Sequence, residues 1–346
     1  MMKKIKILIY TLLKYTGVFW VSRRIQRKKL RILCYHGIAF QDEHAFKPTL
    51  FMTEDLFRHR MDLLAKSGYR VISLETAVKE LKAGTLADNS VVITFDDGWE
   101  GTFSKAVPIL QQHDFPVTIY ITSYYAEKQV PVLNVLLQYI LWKSPVVEFD
   151  MESLGIDGLS GRVRPGDAGQ RQQAVEQMLT RLETHYQIAD RYRLCETICQ
   201  KLQVDGQVMR QEKMFMLATP DTIGQLGQLE GVDIELHTHR HVFPEHSFEA
   251  CEIEIEQNRD LLRQWTGHNP THFCYPSGWY LAKQLPWLQK MGVESATTVQ
   301  AGLNGPAADV LQLGRFLDGQ NVSDIEFEAE LSGFADMLRK SSFLRG

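Results

Sequence analysis

The stretch VVITFDDGWEG, Val91 to Gly101, decides how this chain reads. Five β-prone residues run straight into two adjacent acids and a glycine. Like charges on neighbouring residues repel, and burying even one carboxylate is costly unless it finds a partner. One reading is a strand that ends in a solvated turn, since Asp and Gly are common turn formers. The other is that a cation sits at the strand end. Successive side chains of an extended chain point to opposite sides. Of Asp96 and Asp97, one could then ligate an ion while the other stays free beside it as a base. The choice depends on what other strand ends bring to the same place.

Working outward, apolar strands and amphipathic helices alternate. RILCYHGI (31–38) reads as a buried strand, and a helix runs from Thr53 to a stop at Gly68. YRVIS, VVITF and VTIYIT follow as strands with helices between them. This alternation predicts a mostly parallel sheet or barrel, with its chemistry at the carboxyl ends of the strands. The rhythm breaks from about 126 to 214, a helix-rich stretch holding the polar loop GLSGRVRPGDAGQ. It resumes with VDIEL, HFCYP, SATTV and VLQLGRF as strands and a last helix at roughly 324–339. The expected fold is α/β, a distorted (β/α) barrel over 31–346, with a helical insertion far longer than an ordinary loop. A basic amphipathic segment, 1–30, precedes it.

The 346 residues are 44% hydrophobic and 23% charged, ordinary for a globular protein, so disorder is not the expectation. Ten of the 38 basic residues lie in 1–31 with no acid among them. The remainder therefore carries 28 basic against 42 acidic residues, a formal −14, which argues against a nucleic-acid partner. Five cysteines without a Cys-x-x-Cys pair suggest free thiols in a reducing compartment, with Cys195 and Cys199 as packing residues. In the basic segment Lys14 interrupts the apolar run, unlike a secretory signal, and the run is shorter than the ~20 residues that span a bilayer. Read as one helix, it puts Ile5, Leu8, Ile9, Leu12, Tyr15, Phe19 and Trp20 on one face with Lys6 and Lys14 opposite. That face and the basic cluster predict peripheral binding through residues 1–31 to an anionic membrane surface, on the cytoplasmic side. The alternative is a helix packed on the protein body.

VDIELHTHRH carries His237, His239 and His241 just past its apolar run. A spacing of four puts His237 and His241 on one side of a helical turn, which suits two ligands on one ion. Two imidazoles and one carboxylate leave coordination positions open, the catalytic pattern rather than the closed structural one. Such a donor set favours Zn, Co, Ni or Fe over Mg or Ca.

These residues resemble the polysaccharide deacetylase family, also called the nodulation-factor deacetylase homology domain or carbohydrate esterase family four. Its Thr-Phe-Asp-Asp-Gly motif matches Thr94 to Gly98, and its His-Ser/Thr-x-x-His motif matches His237, Thr238 and His241. The resemblance implies Asp96 as general base and Asp97, His237 and His241 as metal ligands. It leaves His239 an ordinary neighbour and gives Thr238 the role of ordering the loop. The third motif, often Arg-Pro-Pro-Tyr-Gly, corresponds to FCYPSG: Ser277 takes the Tyr position, where a backbone N–H serves the oxyanion, and Cys274 stands where the Arg would be. Arg315, in LGRF, is the candidate substitute for that arginine. The late Leu-x-His motif is absent. A permuted-type branch acting on biofilm-type N-acetylglucosamine polymers takes its acid from an early Tyr-His strand, which LCYHGI resembles, so His36 is the candidate general acid.

The resemblance covers roughly 31–124 and 215–317. It implies a metal-dependent hydrolase of carbon–nitrogen bonds other than peptide bonds, removing acetyl groups, N-acetyl first, from a polysaccharide, oligosaccharide or lipid-linked sugar in surface-glycan metabolism. The implied metal is zinc. Trp99, Trp279 and Tyr275 are candidate sugar-stacking residues. A glycoside hydrolase would need carboxylates ~5–9.5 Å apart across the bond, which an adjacent pair does not supply. A catalytically inactive carbohydrate-binding member is the alternative that the missing arginine leaves open.

Overall fold

The computed structural model describes residues 2–343. Helices α1 (Met2–Tyr15) and α2 (Val18–Ile25) precede eight parallel strands of one sheet. These are β1 (Arg31–Tyr35), β2 (Arg70–Val71), β3 (Ser90–Phe95), β4 (Val117–Ile121), β5 (Val232–Leu236), β6 (His272–Cys274), β7 (Ser295–Thr297) and β8 (Phe316–Leu317). Seven run in the order β7-β6-β5-β4-β3-β1-β8, and β2 adds to β3. A parallel bridge, Thr297 to Leu313, ties the β7 edge to the chain that leads into β8. The sheet is thereby curled into a half-barrel. Every residue of β1, β3 and β4 is buried, as expected of parallel strands covered on both faces. That is why they read as continuous apolar runs.

The crossover helices start and stop on local signals. α3 (Glu54–Lys66) begins at Thr53, whose hydroxyl accepts the Leu56 N–H. α4 (Leu74–Ala83) begins at Ser73, capped in the same way, and ends at Gly84 in the left-handed conformation. Between β4 and β5 the sheet gains no strand. That stretch holds α5 (Leu133–Lys143), α6 (Ala168–His185), α7 (Ile188–Lys201), α8 (Gly206–Gln211) and a small hairpin of Phe149–Asp150 with Arg162–Val163. Its exit docks on the tip of β3: Ala218 N–H donates to the Gly98 carbonyl and Glu100 N–H to the Met216 carbonyl, each at 3.0 Å. Phe215 packs between Phe51 and Tyr139. The insertion is thus a layer laid over the Asp-Asp-Gly loop.

Three local expectations change. The N-terminal segment is two helices bent by 77° at Thr16–Gly17, where Gly17 takes φ 83°. Phe19 consequently turns inward against Tyr10 and Phe334, away from the face assigned to it. In VLQLGRF only Leu313, by a single bridge to Thr297, and Phe316, the first residue of β8, pair with the sheet, because the Asp309 carboxylate accepts the Leu311 N–H and winds Val310–Gln312 into a 3-10 turn. The last helix divides at Gly333, φ 78°, into α10 (Asp324–Leu331) and α11 (Phe334–Phe343). α9 (Phe248–Thr266) follows β5 and spans the site from behind.

Candidate active site

At the end of β3 the two aspartates part company. Asp96 continues the strand, donating its N–H to the Tyr35 carbonyl at 2.9 Å. Asp97 takes φ 73° and Gly98 φ 91°, so the chain turns sharply and the Asp97 carboxylate swings to the rim. Glycine is favoured at 98 because φ 91° strains any other side chain, and a Cβ there would also press on Ile121 Cδ1 at 2.7 Å.

Asp96 is 2% exposed and points into the half-barrel. Both its oxygens accept from Arg315, Nη1 to Oδ1 and Nη2 to Oδ2, each at 2.7 Å. Arg315 is itself buried, with Nε donating to the Thr298 carbonyl. Burial would raise the Asp96 carboxyl, but the charge and hydrogen bonds of Arg315, with His36 and His237, hold it well below the usual carboxylate range. Cys274 lies 3.1 Å from Arg315 Nη2 and 3.4 Å from Asp96 Oδ2, and Cys34 lies 3.6 Å from the same oxygen. The small side chain of Cys274 leaves room for a guanidinium arriving from just before β8. His36, just past β1, has Nε2 3.8 Å from Asp96 Oδ2, while its buried Nδ1 meets no protein partner.

The pairing makes Arg315 a positioning residue whose substitution has a specific signature. Arg315→Ser leaves a buried carboxylate alone, which costs about 3–5 kcal/mol and raises the pKa of Asp96. Adding Cys274→Arg returns a guanidinium from the opposite strand and should recover part of both losses. Thermal melts and pH–rate profiles of the single and double variants measure this. Equal melting temperatures for wild type and Arg315→Ser would remove the ion pair from the account.

Asp97 Oδ1 faces two imidazoles, His237 Nε2 at 3.3 Å and His241 Nε2 at 3.5 Å. Its other oxygen accepts the Trp99 indole N–H at 2.8 Å. The three potential ligand atoms lie within 4.8 Å of one another. Among the described residues, Asp96 also groups with Cys34 and His36, and with His237 and Cys274. Arg315 already neutralises the Asp96 charge, whereas no guanidinium bonds Asp97, so the Asp97 cluster is the one suited to a cation. His237 Nδ1 lies 2.8 Å from the Cys274 carbonyl and donates to it, which leaves Nε2 as the free lone pair toward Asp97. Burial lowers the His241 imidazole below its ordinary value, favouring the neutral form that a ligand needs. Burial acts likewise on His237, but Cys274, Asp97 and Asp96 outweigh it and hold this imidazole well above its ordinary value.

The helical turn expected for His237–His241 is not formed. Beyond β5 the chain is an irregular loop in which Thr238 (φ 63°) and His241 (φ 59°) are left-handed. With Asp97 and with Ser277 (φ 56°), four residues of the site hold a conformation that non-glycine side chains adopt rarely. Hydrogen bonds to α9 hold the histidine loop in place. Asn258 accepts the His237 N–H and donates to the Ile121 carbonyl and the Ser123 hydroxyl. Glu254 accepts from Arg240 N–H and Nε, and its carbonyl accepts the His239 N–H. The Thr238 hydroxyl accepts the Val242 N–H. His239 turns away to Ser123 and Tyr124.

Sequence reasoning missed Trp99, Asn258 and Glu254 as supports. The last two were signalled by polar residues on the apolar stripe of α9, between Cys251 and Leu262. Of the candidate sugar platforms, Trp99 is buried and serves Asp97. Tyr275 is buried, stacked on Tyr280 at 4.4 Å, with its hydroxyl on the Leu311 carbonyl. Only Trp279, 77% exposed beside Ser277, presents a free ring. Ser277 lies exposed in the 3-10 turn after β6.

The sequence model of the polysaccharide deacetylase family matches residues 83–149 and 197–296. No match was found among curated proteins. Among solved structures, the chain is similar to the Streptococcus pyogenes deacetylase PplD in complex with acetate. The two share 18% identity over 88% of this chain and 99% of that one, with TM-score 0.57. IcaB from Ammonifex degensii is 15% identical over 88% and 97% of the two chains, with TM-score 0.56. A de-N-acetylase from Aggregatibacter actinomycetemcomitans is 13% identical over 87% and 99%, with TM-score 0.54. The likeness to these structures establishes the half-barrel. With the family match lying across both the aspartate and the histidine motifs, residues 83–149 and 197–296 carry a polysaccharide deacetylase domain.

Proposed function

We propose that the protein hydrolyses the acetamide of an N-acetylated saccharide in surface-glycan metabolism, using a divalent transition metal, zinc first, held by Asp97, His237 and His241. The observation that carries this reading is the separation of roles at the end of β3. One aspartate shares a three-ligand cluster with two imidazoles, and its neighbour is fixed by an arginine beside it. The cluster fits a cation: one carboxylate oxygen and two Nε2 atoms converge, and His237 is oriented by its bond to a carbonyl. Acetamide chemistry is favoured by relatives described as a deacetylase with acetate and as a de-N-acetylase.

When bound, the metal supplies Lewis-acid polarisation of the acetyl carbonyl and activation of water. Asp96 accepts the proton of the attacking water. A carboxylate has about four lone-pair sites and Arg315 takes two, so acceptor capacity remains. Arg315 keeps the carboxylate ionised and aimed. Ser277, at the rim, offers its backbone N–H to the oxyanion. His36, whose Nε2 lies 3.8 Å from Asp96 Oδ2, delivers a proton to the departing amine.

The test is acetate release from N-acetylglucosamine oligomers by zinc-reloaded protein, with and without chelator. Chelator-sensitive release is expected; folded, metal-loaded protein that frees no acetate from any N-acetylated oligosaccharide would overturn the reading. His36→Ala should keep its metal and slow the reaction about 10²–10⁴-fold, the usual weight of a general acid. An unchanged rate would demote His36 to packing.

A further inference from the structure

We propose that α1 and α2 form a docking surface for a lipid bilayer, inserted through their outward apolar faces. The proposal is independent of the chemistry assigned to the active site. α1 is apolar on two sides. Its inner side, Tyr10 and Leu13, joins Phe19 of α2 against Phe334, Ala335 and Ala329. Its outer side presents Ile5, Leu8, Ile9 and Leu12, with Leu8 70% and Leu12 64% exposed. α2 continues the exposed set with Trp20 (66%), Val21 and Ile25. A helix apolar on both sides needs two partners, and the body supplies only one. Contiguous exposure of large side chains on this scale marks an interaction site.

The charges identify the second partner. Residues 1–31 contain no acid. Four of their ten cations pair with the body: Lys6 and Lys14 with Glu326 and Glu328, and Arg27 and Lys28 with Asp88. Lys4 and Arg24, on the outward helices, meet no carboxylate among the described residues, and Arg24 lies over the exposed Trp20 ring. An aromatic ring beside a cation at the border of an apolar face suits the headgroup level of a membrane. A second copy of the chain fits less well. A two-fold interface sets the same patch against itself, and here that would bring cations onto cations with no acid of residues 1–31 between them. No single helix among the described residues is long and apolar enough to cross a membrane. The two helices are bent by 77°, which suits elements lying in the interface. Because four of the ten cations are already paired, insertion of the apolar side chains leads and attraction to anionic headgroups adds to it.

Flotation of the full-length protein with phosphatidylcholine vesicles and with mixed phosphatidylglycerol–phosphatidylcholine vesicles tests this. Wild type should float with both, better with the anionic mixture. The exposed double substitution Leu8→Glu/Leu12→Glu should lower partitioning about 100-fold or more, each lost leucine being worth roughly tenfold or more. Its melting temperature and its activity on a soluble acetylated oligosaccharide should stay as in wild type. Independently, brominated lipid should quench wild-type tryptophan fluorescence, and Trp20→Phe should lose that quenching. Wild type that floats with neither vesicle, or a double variant that floats like wild type, would overturn the proposal. So would a wild-type dimer that the double substitution disperses, which would assign the face to a second copy.

Discussion

Asp96→Asn should keep its metal and lose turnover by about 10²–10⁴-fold, the range for removal of a positioned general base. The expectation rests on direction. Asp96 turns to Arg315 and the barrel interior, whereas the oxygen that faces His237 and His241 belongs to Asp97. Elemental analysis of dialysed, zinc-reloaded protein should therefore give equal metal for wild type and variant, while acetate release separates them. The substitution also leaves the buried Arg315 without its counter-charge, so the melting temperature should fall, and the assay belongs below the variant's transition. Turnover close to wild type in the folded variant would exclude Asp96 as the base.

His237→Ala should lose the metal first and activity with it. This imidazole is the buried member of the cluster, 2% exposed, and its orientation is set by the Cys274 carbonyl. Removing a ligand should cost more than the about 10–100-fold in affinity that loss of an outer-shell partner costs. Trp99→Phe supplies the comparison, since it deletes the indole N–H that holds Asp97 Oδ2 and leaves all three ligand side chains in place. The expected order of metal retention under competing chelator is wild type, then Trp99→Phe, then His237→Ala. Wild type and His237→Ala retaining metal equally would dissolve the assigned site. Occupancy should also rise with pH. The metal-free His237 imidazole stands well above its ordinary value, so a proton competes with the cation at neutral pH and yields as pH increases.

Much of this architecture was legible because its signals are local. The strand and helix order from β1 to β7 follows from apolar runs, caps and glycine stops. The Asp-Asp-Gly and His-x-x-x-His motifs are each contained within five residues. The opposite directions of Asp96 and Asp97 also follow from the chain itself, though the left-handed turn at Asp97 and Gly98 sharpens them. The helical turn assumed for the two histidines was an error of context. Spacing alone suggested a helix, but Asn258 and Glu254 hold an irregular loop that only the packed α9 can impose.

The sequence by itself determined the alternation that builds a parallel half-barrel and the donor types offered at its strand ends. Only the tertiary structure decided which of those donors meet. Arg315 reaches Asp96 across 219 residues because curling of the sheet brings the segment before β8 beside β1, opposite β6, and Cys274 is small enough to admit the guanidinium. Trp99 became a support rather than a sugar platform because the exit of the insertion covers it. The N-terminal apolar residues divided into a buried and an exposed set because α10 and α11 cover one side only. Local pattern specifies which face of an element is apolar; what that face meets depends on the long-range packing of elements far apart in the chain.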